Sequence, residues 1–307
     1  MNKEELKEFI DNVKKLFNKQ EYQQIVDQMD KINLTDQTLE LNYMFVYSLF
    51  NCHEYSSARN IIEAYLLEYL KYDQSRELAF DVLLQNQEFV FAHELVCLIH
   101  DHEQKKYLNK IESFEANFEK NNPETVKTIS RNFYHLSSFD SLMTYRIFHN
   151  ALKLPLKNYV KQAQFLLMDP FLSSLFKASI LDVLRKVRFD QEISFIWIDQ
   201  QSYQLIPADL SKLEDNLIYV DTNDLLSAKL GNTDPTTYHQ LQQELYLQLL
   251  ISYPFLNKVV RNANDWIDTL IGRYYQDVSD NLDTDSLKWQ KKLAKEIDQV
   301  LNNWILI

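Results

Sequence analysis

The sequence predicts an all-α protein built from paired helices, and three observations carry that reading. Glycine occurs only twice in 307 residues, at Gly231 and Gly272, and proline six times. Strand-rich folds and phosphate-cradling loops draw on glycine for tight turns and positive φ, so its scarcity points to helices joined by short connections. The second observation is a phrase written three times: QEYQQI at 20–25, HEYSSA at 53–58 and QEFVFA at 87–92, whose aromatics Tyr22, Tyr55 and Phe89 lie 33 and 34 residues apart. The third is what surrounds each aromatic. A leucine stands six residues before it (Leu16, Leu49, Leu83), and further residues follow at three (Ile25, Ala58, Ala92), seven (Met29, Ile62, Val96) and ten (Ile32, Tyr65, Ile99). Offsets of 0, 3, 7 and 10 trace one face of an α-helix.

Each unit thus reads as a helix ending near the leucine, a short turn, and a second helix starting at the glutamate. Glu21, Glu54 and Glu88 fall in the first turn of those second helices, where the helix dipole favours an acid. A single unit cannot bury its stripe alone, whereas stacked neighbours can. These residues resemble the tetratricopeptide repeat, a family of helix–turn–helix units of about 34 residues. In its second helix an aromatic is followed three residues later by a small residue, as in Tyr55–Ala58 and Phe89–Ala92. The resemblance covers roughly residues 3–103. Where the family places a small residue in the first helix, this chain has Val13, Val46 and Phe80, and the tryptophan-type position holds Phe9, Asn42 and Arg76. The resemblance implies a right-handed α-solenoid of antiparallel helix pairs over residues 1–155, with pairs splayed more than in a regular array.

Beyond 103 the period fades. The stretch 137–155 is predicted to be a fourth second-helix with Phe139 and Leu142 in the marked places, and Pro123 sits near the first position of the helix before it. Residues 156–307 form a divergent helical region. Its segment 169–187 opens on Asp169–Pro170 and is apolar on most sides, which predicts a buried central helix. EISFIWI at 192–198, DQQS and YQLIP then predict a small β-hairpin near 192–207, ended by Pro207. Three helices close the chain: one from Asp234–Pro235 to before Pro254, one over 254–278, and one from about Asp285. The last carries Leu293, Ile297, Val300, Leu301 and Trp304 on one stripe, and the final WILI is expected to pack onto the body or onto another subunit.

The bulk numbers narrow the function. Two separated glycines cannot spell GxGxxG or GxxxxGK, which excludes Rossmann-type and Walker-type loops. A net charge of −12 disfavours nucleic acid and anionic membrane as general partners. Cys52 and Cys97 stand apart, with no CxxC and no disulfide framework. MNKEELKEF is charged throughout, unlike a signal peptide, and no apolar run nears the ~20 residues that span a bilayer. The expectation is a reduced cytoplasmic protein, off the membrane, with homo-oligomerisation left open.

Chemistry-bearing residues are few. His93, Cys97 and His100 in AHELVCLIHDHEQ fall at i, i+4 and i+7, and all three are zinc-ligand types. The His100–Asp101 doublet faintly resembles the HD-type metal-dependent phosphohydrolases, but that family also needs an upstream His and a downstream Asp that have no place in this register. A partly buried helix face explains the same residues. There is no GxSxG, and the acids of LED at 213–215 and DTD at 283–285 sit at expected helix starts, where they serve as caps. Between 153 and 188, Lys153, Lys157, Lys161, Lys177, Arg185, Lys186 and Arg188 stand against only Asp169 and Asp182. That segment suits an acidic partner or a nucleic-acid backbone, or is simply two solvated helix faces.

The expected function is a non-enzymatic scaffold or adaptor, without metal or cofactor, that binds a peptide or protein segment. In tetratricopeptide arrays the first helices line a concave groove. By register this groove holds Ile10, Lys14 and Phe17, then Tyr43, Tyr47, Phe50 and Asn51, then Glu77, Asp81, Leu84 and Gln85. The mixed aromatic and polar set Tyr43, Tyr47, Phe50, Asn51, Glu77, Asp81 and Gln85 is the candidate binding site. The family's carboxylate clamp wants Lys, Asn and Arg where this chain has Ile10, Lys14, Met44, Gln74 and Leu78, so an acidic chaperone tail is not the expected ligand.

Overall fold

The repeated phrase turns out to encode one backbone turn three times. A computed structural model of the chain describes residues 3–32, 38–275 and 283–305, with the side chains of 3, 30, 141 and 299–305 left aside. The chain forms two compact units, residues 1–126 with 152–156, and residues 127–151 with 157–307. Among the described residues, no helix is long and apolar enough to cross a membrane.

In the first unit, α1 (Lys3–Asn18) is followed by α2 (Tyr22–Val26), α3 (Leu39–Asn51) by α4 (Tyr55–Ile62) and the one-turn α5 (Leu66–Tyr69), and α6 (Asp73–Gln85) by α7 (Phe89–Val96). The turns between partners share one φ value and one hydrogen-bond pattern. Gln20, His53 and Gln87 adopt φ of 61°, 62° and 62°. The next N–H, of Glu21, Glu54 or Glu88, reaches back to Leu16, Leu49 or Leu83 at 3.0, 2.9 and 3.0 Å. The left-handed residue itself donates to Phe17, Phe50 or Leu84 at 3.0, 3.1 and 3.1 Å. This is the Schellman pattern, in which a left-handed residue lets two N–H groups satisfy the last free carbonyls of a helix. The leucine of the sequence register is the carbonyl that closes it. The glutamates stand at the N-cap, one residue before the second helix, and make no side-chain capping bond there. Glu88 instead takes both its oxygens to Arg59 Nε at 2.9 Å, tying one unit to the next.

The marked positions supply the core. Ile25, Ala58, Ala92, Val13, Val46 and Phe80 have no exposed surface. Asn42 and Arg76, in the tryptophan-type position, are buried polar anchors: Asn42 Oδ1 accepts from Tyr69 Oη at 2.8 Å, and Arg76 Nε donates to the Leu70 carbonyl at 2.7 Å. The second helices are shorter than the ten-residue register implies. Met29 lies past the end of α2 in a 3₁₀ turn, and Tyr65 ends another beyond α4. Helix α8 (Asp101–Asn121) packs against both α7 and α6, stacking Tyr107 on Phe80 with ring centroids 4.3 Å apart.

Helices α9 (Pro123–Tyr134), α10 (Ser141–Ala151), α11 (Leu156–Leu167) and α12 (Ser174–Lys186) follow. Phe139 lies before α10 and is exposed, so it is no counterpart of Tyr22, Tyr55 and Phe89. Helix α12 starts at Ser174 and not at Asp169–Pro170, because the Asp169 carboxylate closes a turn by accepting the Phe171 N–H at 2.9 Å. Its far end repeats the Schellman turn with Arg188 left-handed and Phe189 N–H on Leu184 O at 2.9 Å.

The hairpin has β1 (Ile193–Ile196) antiparallel to β2 (Ser202–Leu205), with Phe195 opposite Tyr203. Helix α13 (Leu217–Leu230) went unpredicted: its opening Leu-Ile-Tyr-Val lacks an amphipathic period and reads as strand. Then come α14 (Pro235–Ser252), the single-turn α15 (Leu256–Val259), α16 (Ala263–Tyr274) and α17 (Thr284–Ile305). The helix expected over 254–278 is broken, because the Asn262 side chain accepts from the Asn264 and Asp265 N–H groups and starts a new helix. Leu293 and Ile297 of α17 are buried as expected, while Val300, Leu301, Trp304 and the rest of WILI lie outside the described side chains. A polar chain locks these helices: Trp266 Nε1 donates to Gln248 Oε1 at 3.1 Å, and Gln290 Nε2 donates to the Trp266 carbonyl at 2.7 Å.

Candidate functional site

Helices α1, α3 and α6 lie side by side, and their sequence-matched positions share one environment. Ile10, Lys14 and Phe17, then Tyr43, Tyr47 and Phe50, then Glu77 and Asp81 are all half-buried; Asn51 and Gln85 are exposed at the same register point. Leu84 departs from the row by being buried. Helical geometry explains the likeness: positions 43, 47, 50 and 51 repeat at i, i+4, i+7 and i+8 on one face, and 77, 81, 84 and 85 do so one repeat later.

Two chemically different strips result. The first is aromatic. Tyr47 lies 5.3 Å from Phe17, 5.7 Å from Tyr22 and 5.9 Å from Tyr43 between ring centroids, and Tyr43 lies 6.2 Å from the buried Tyr69. Such rings are at once wall and surface: half-buried, Tyr43 and Tyr47 pack against the core and keep part of their surface in solvent. Burial first, then the neighbouring phenol of Tyr47, pushes the Tyr43 hydroxyl above its ordinary pKa, so it remains a neutral donor. Tyr22, a register mark of the second helix and not one of the groove positions, also belongs to this strip. Asn51 Nδ2 donates to the Tyr47 carbonyl at 2.8 Å, and the residue is exposed.

The second strip is ionic. Lys110 of α8 stands 33 residues after Glu77 and pairs with it, and it lies 2.8 Å from Asp81; Lys106 adds a contact to Glu77 at 2.6 Å. Partial burial opposes the Glu77 carboxylate, but hydrogen bonds from Lys106 and Lys110 outweigh it and hold its pKa below the ordinary range. Glu77 and Asp81 are therefore neutralised within the molecule and are poor receptors for a basic ligand. At the opposite edge Lys14 pairs with Glu40 at 3.0 Å.

The other sequence candidates are dispersed. Helix α7 ends at Val96 and α8 begins at Asp101, so His93, Cys97 and His100 do not share one helix face. His93 is buried with Nε2 3.1 Å from Glu115 Oε1, and the same oxygen accepts the Leu156 N–H at 2.8 Å. His100 and Asp101 are exposed at the start of α8, where Asp101 accepts from Gln104 Nε2 at 3.1 Å. Among the described residues, no group of three His, Cys, Asp or Glu side chains could hold a metal ion. The basic segment 153–188 does not form one surface either. Lys177 is buried, donating to the Ile196 carbonyl at 3.1 Å, and Arg185 and Lys186 are paired with Asp182 at 2.7 and 2.8 Å.

A cleft of about 280 Å³ in the second unit, lined by Tyr134, His135, Ser137, Phe165, Met168 and Asp169, had no signal in the sequence. It brings Ser, His and Asp together without a nucleophile relay, since Ser137 Oγ donates directly to Asp169 Oδ2 at 2.5 Å. Comparison with protein-family models, with curated proteins and with solved structures finds no match.

Proposed function

We propose that this chain is a non-enzymatic cytoplasmic scaffold. Its repeats stack as a right-handed α-solenoid of tetratricopeptide type, and their first helices present a peptide-binding face. The observation that carries this reading is the row of matched, half-buried positions on α1, α3 and α6, flanked by exposed Asn51 and Gln85. An enzyme has no comparable support: the titratable candidates are scattered, capped or ion-paired. The chemistry of the face narrows the partner. Phe17, Tyr22, Tyr43, Tyr47 and Phe50 offer aromatic area with polar edges, while Glu77 and Asp81 are already matched by lysines. The fitting ligand is an extended or helical segment with apolar side chains and backbone groups for the two amides, not a strongly charged tail.

The test is capture of partners by the full chain, identified by mass spectrometry, beside an Asn51→Arg, Gln85→Arg variant. Both positions are exposed, so the pair of changes should alter stability by less than about 0.5 kcal/mol. A partner bound on this face should lose at least about tenfold in affinity. Equal capture by both proteins, with unchanged melting, sinks the groove.

A further inference from the structure

At the hairpin an ammonium group sits inside three aromatic rings. Lys258 Nζ lies 3.8 Å from the centroid of Tyr203, 4.6 Å from Phe255 and 5.6 Å from Trp197. The rings are steeply inclined: Trp197 makes 89° with Tyr203 and 82° with Phe255, and the latter two cross at 52°. They enclose a point instead of stacking. Hydrogen bonds that do not involve the lysine hold two of the rings and the backbone of the third. Trp197 Nε1 donates to the Ser252 carbonyl at 3.2 Å, Tyr203 Oη donates to Asp199 Oδ2 at 2.6 Å, and the Phe255 N–H donates to Ser252 O at 3.0 Å. Lys258 itself is exposed, and among the described residues no carboxylate pairs with it, in a chain where 44 acids outnumber 32 bases.

A primary ammonium is a poor fit to such a place. The side of it that faces the rings finds no good acceptor for its N–H groups, because ring faces satisfy them weakly, and only its solvent side is hydrated. A methylated ammonium has the same charge, no N–H to leave unpaired at full methylation, and a lower desolvation cost. We infer that Trp197, Tyr203 and Phe255 form a binding cage for a quaternary ammonium group, and that Lys258 occupies it in the free protein and swings out when the ligand enters. The rings are pre-set and the lysine is the movable part. The ligand competes against a tethered cation, which makes Lys258 a built-in inhibitor of the site.

The probe is choline, followed by saturation-transfer NMR on the full chain, with 3,3-dimethyl-1-butanol as the uncharged isostere. Lys258→Ala should bind choline saturably and at least about tenfold more tightly than wild type. The isostere, and choline on Lys258→Ala, Tyr203→Ala, should each bind at least about tenfold more weakly than choline on Lys258→Ala. An independent readout uses the wild type alone. The ε-methylene protons of Lys258, shifted upfield by the rings, should return to the ordinary lysine position as choline saturates. Sedimentation with phosphatidylcholine vesicles assigns the source: capture of vesicles as well as choline marks a lipid headgroup and choline alone a free solute, and both support the cage. No saturable binding to Lys258→Ala, equal binding of the isostere, or equal binding to the double variant overturns it. So does a Lys258 signal that stays put in wild type.

Discussion

The paired helices α1–α7 and the hairpin with helices α13–α17 reach stability by different routes. In the first region the bonds that close the turns are short in sequence, and the side-chain ties between helices reach about one repeat, 27 residues from Tyr69 to Asn42 and 29 from Arg59 to Glu88. Each turn is closed by an N–H reaching back five residues, and the same turn is made three times. In the second region they are long: Trp197 to Ser252 spans 55 residues, Tyr253 to Ser211 spans 42, and Lys292 Nζ to the Ile198 carbonyl spans 94. A region built from local turns and neighbour contacts behaves as nearly separate modules. One built from distant contacts gains little until most of it has formed, and then opens as a block. The lesson is that two helical regions of one chain need not share a folding logic.

The sharpest way to break this contrast is in the second region. Trp266 is fully buried and hydrogen-bonded through both its ring and its backbone. Trp266→Ala should cost about 3–5 kcal/mol, read by urea unfolding, and hydrogen exchange should accelerate over α14, α16 and α17 together. Exchange confined to α16 would show that the block is not cooperative. In the repeat region, Ala58→Leu overpacks a position with no exposed surface and should cost about 1–3 kcal/mol. Its exchange effect should stay within α3, α4 and α6, the helices that touch it. Spread across the unit would erase the modular side of the comparison.

Lys177 of α12, which donates to the Ile196 carbonyl of the hairpin, sharpens the comparison through pH. Burial lowers its pKa to about 8, with Asp169 and Glu296 only partly opposing. The unfolded chain keeps this proton up to the ordinary 10.5, so between pH 8 and 10.5 it binds more protons than the folded state and stability rises with pH. Below pH 8 the penalty is present in full. Lys177→Met should therefore be more stable than wild type by about 2 kcal/mol at pH 7, with the gap closing as pH rises through that window. Denaturant melts of both proteins from pH 6.5 to 10.5 measure it; a constant gap rules out Lys177 as the cause.

The smallest effect tests the turns. Gln87 holds a φ of 62°, which glycine adopts freely and glutamine does not. Gln87→Gly should raise stability by about 0.5–1 kcal/mol, and Gln20→Gly should act alike and additively in thermal melts. Loss of stability in either would mean that the side chain, not the backbone, sets the turn.

The sequence by itself determined the helical class, the three-fold turn and the small hairpin, because each rests on residues close together in the chain. Offsets of three, seven and ten marked Ile25, Ala58, Ala92 and Val96 as core, and the structure buries all four. The leucine six residues before each aromatic was legible as a marker, though not as the carbonyl that closes a Schellman turn. A left-handed residue that is not glycine leaves no trace in a sequence. What only the tertiary structure decided lies between distant segments. It brought Tyr22 into the aromatic strip, matched Glu77 and Asp81 with Lys106 and Lys110, and buried Lys177 out of an apparent basic surface. It also drew Trp197, Tyr203 and Phe255 around Lys258. The physical reason is range: a helix period reports which residues share a face, but the charge or ring that meets that face comes from elsewhere in the chain and is fixed only by packing.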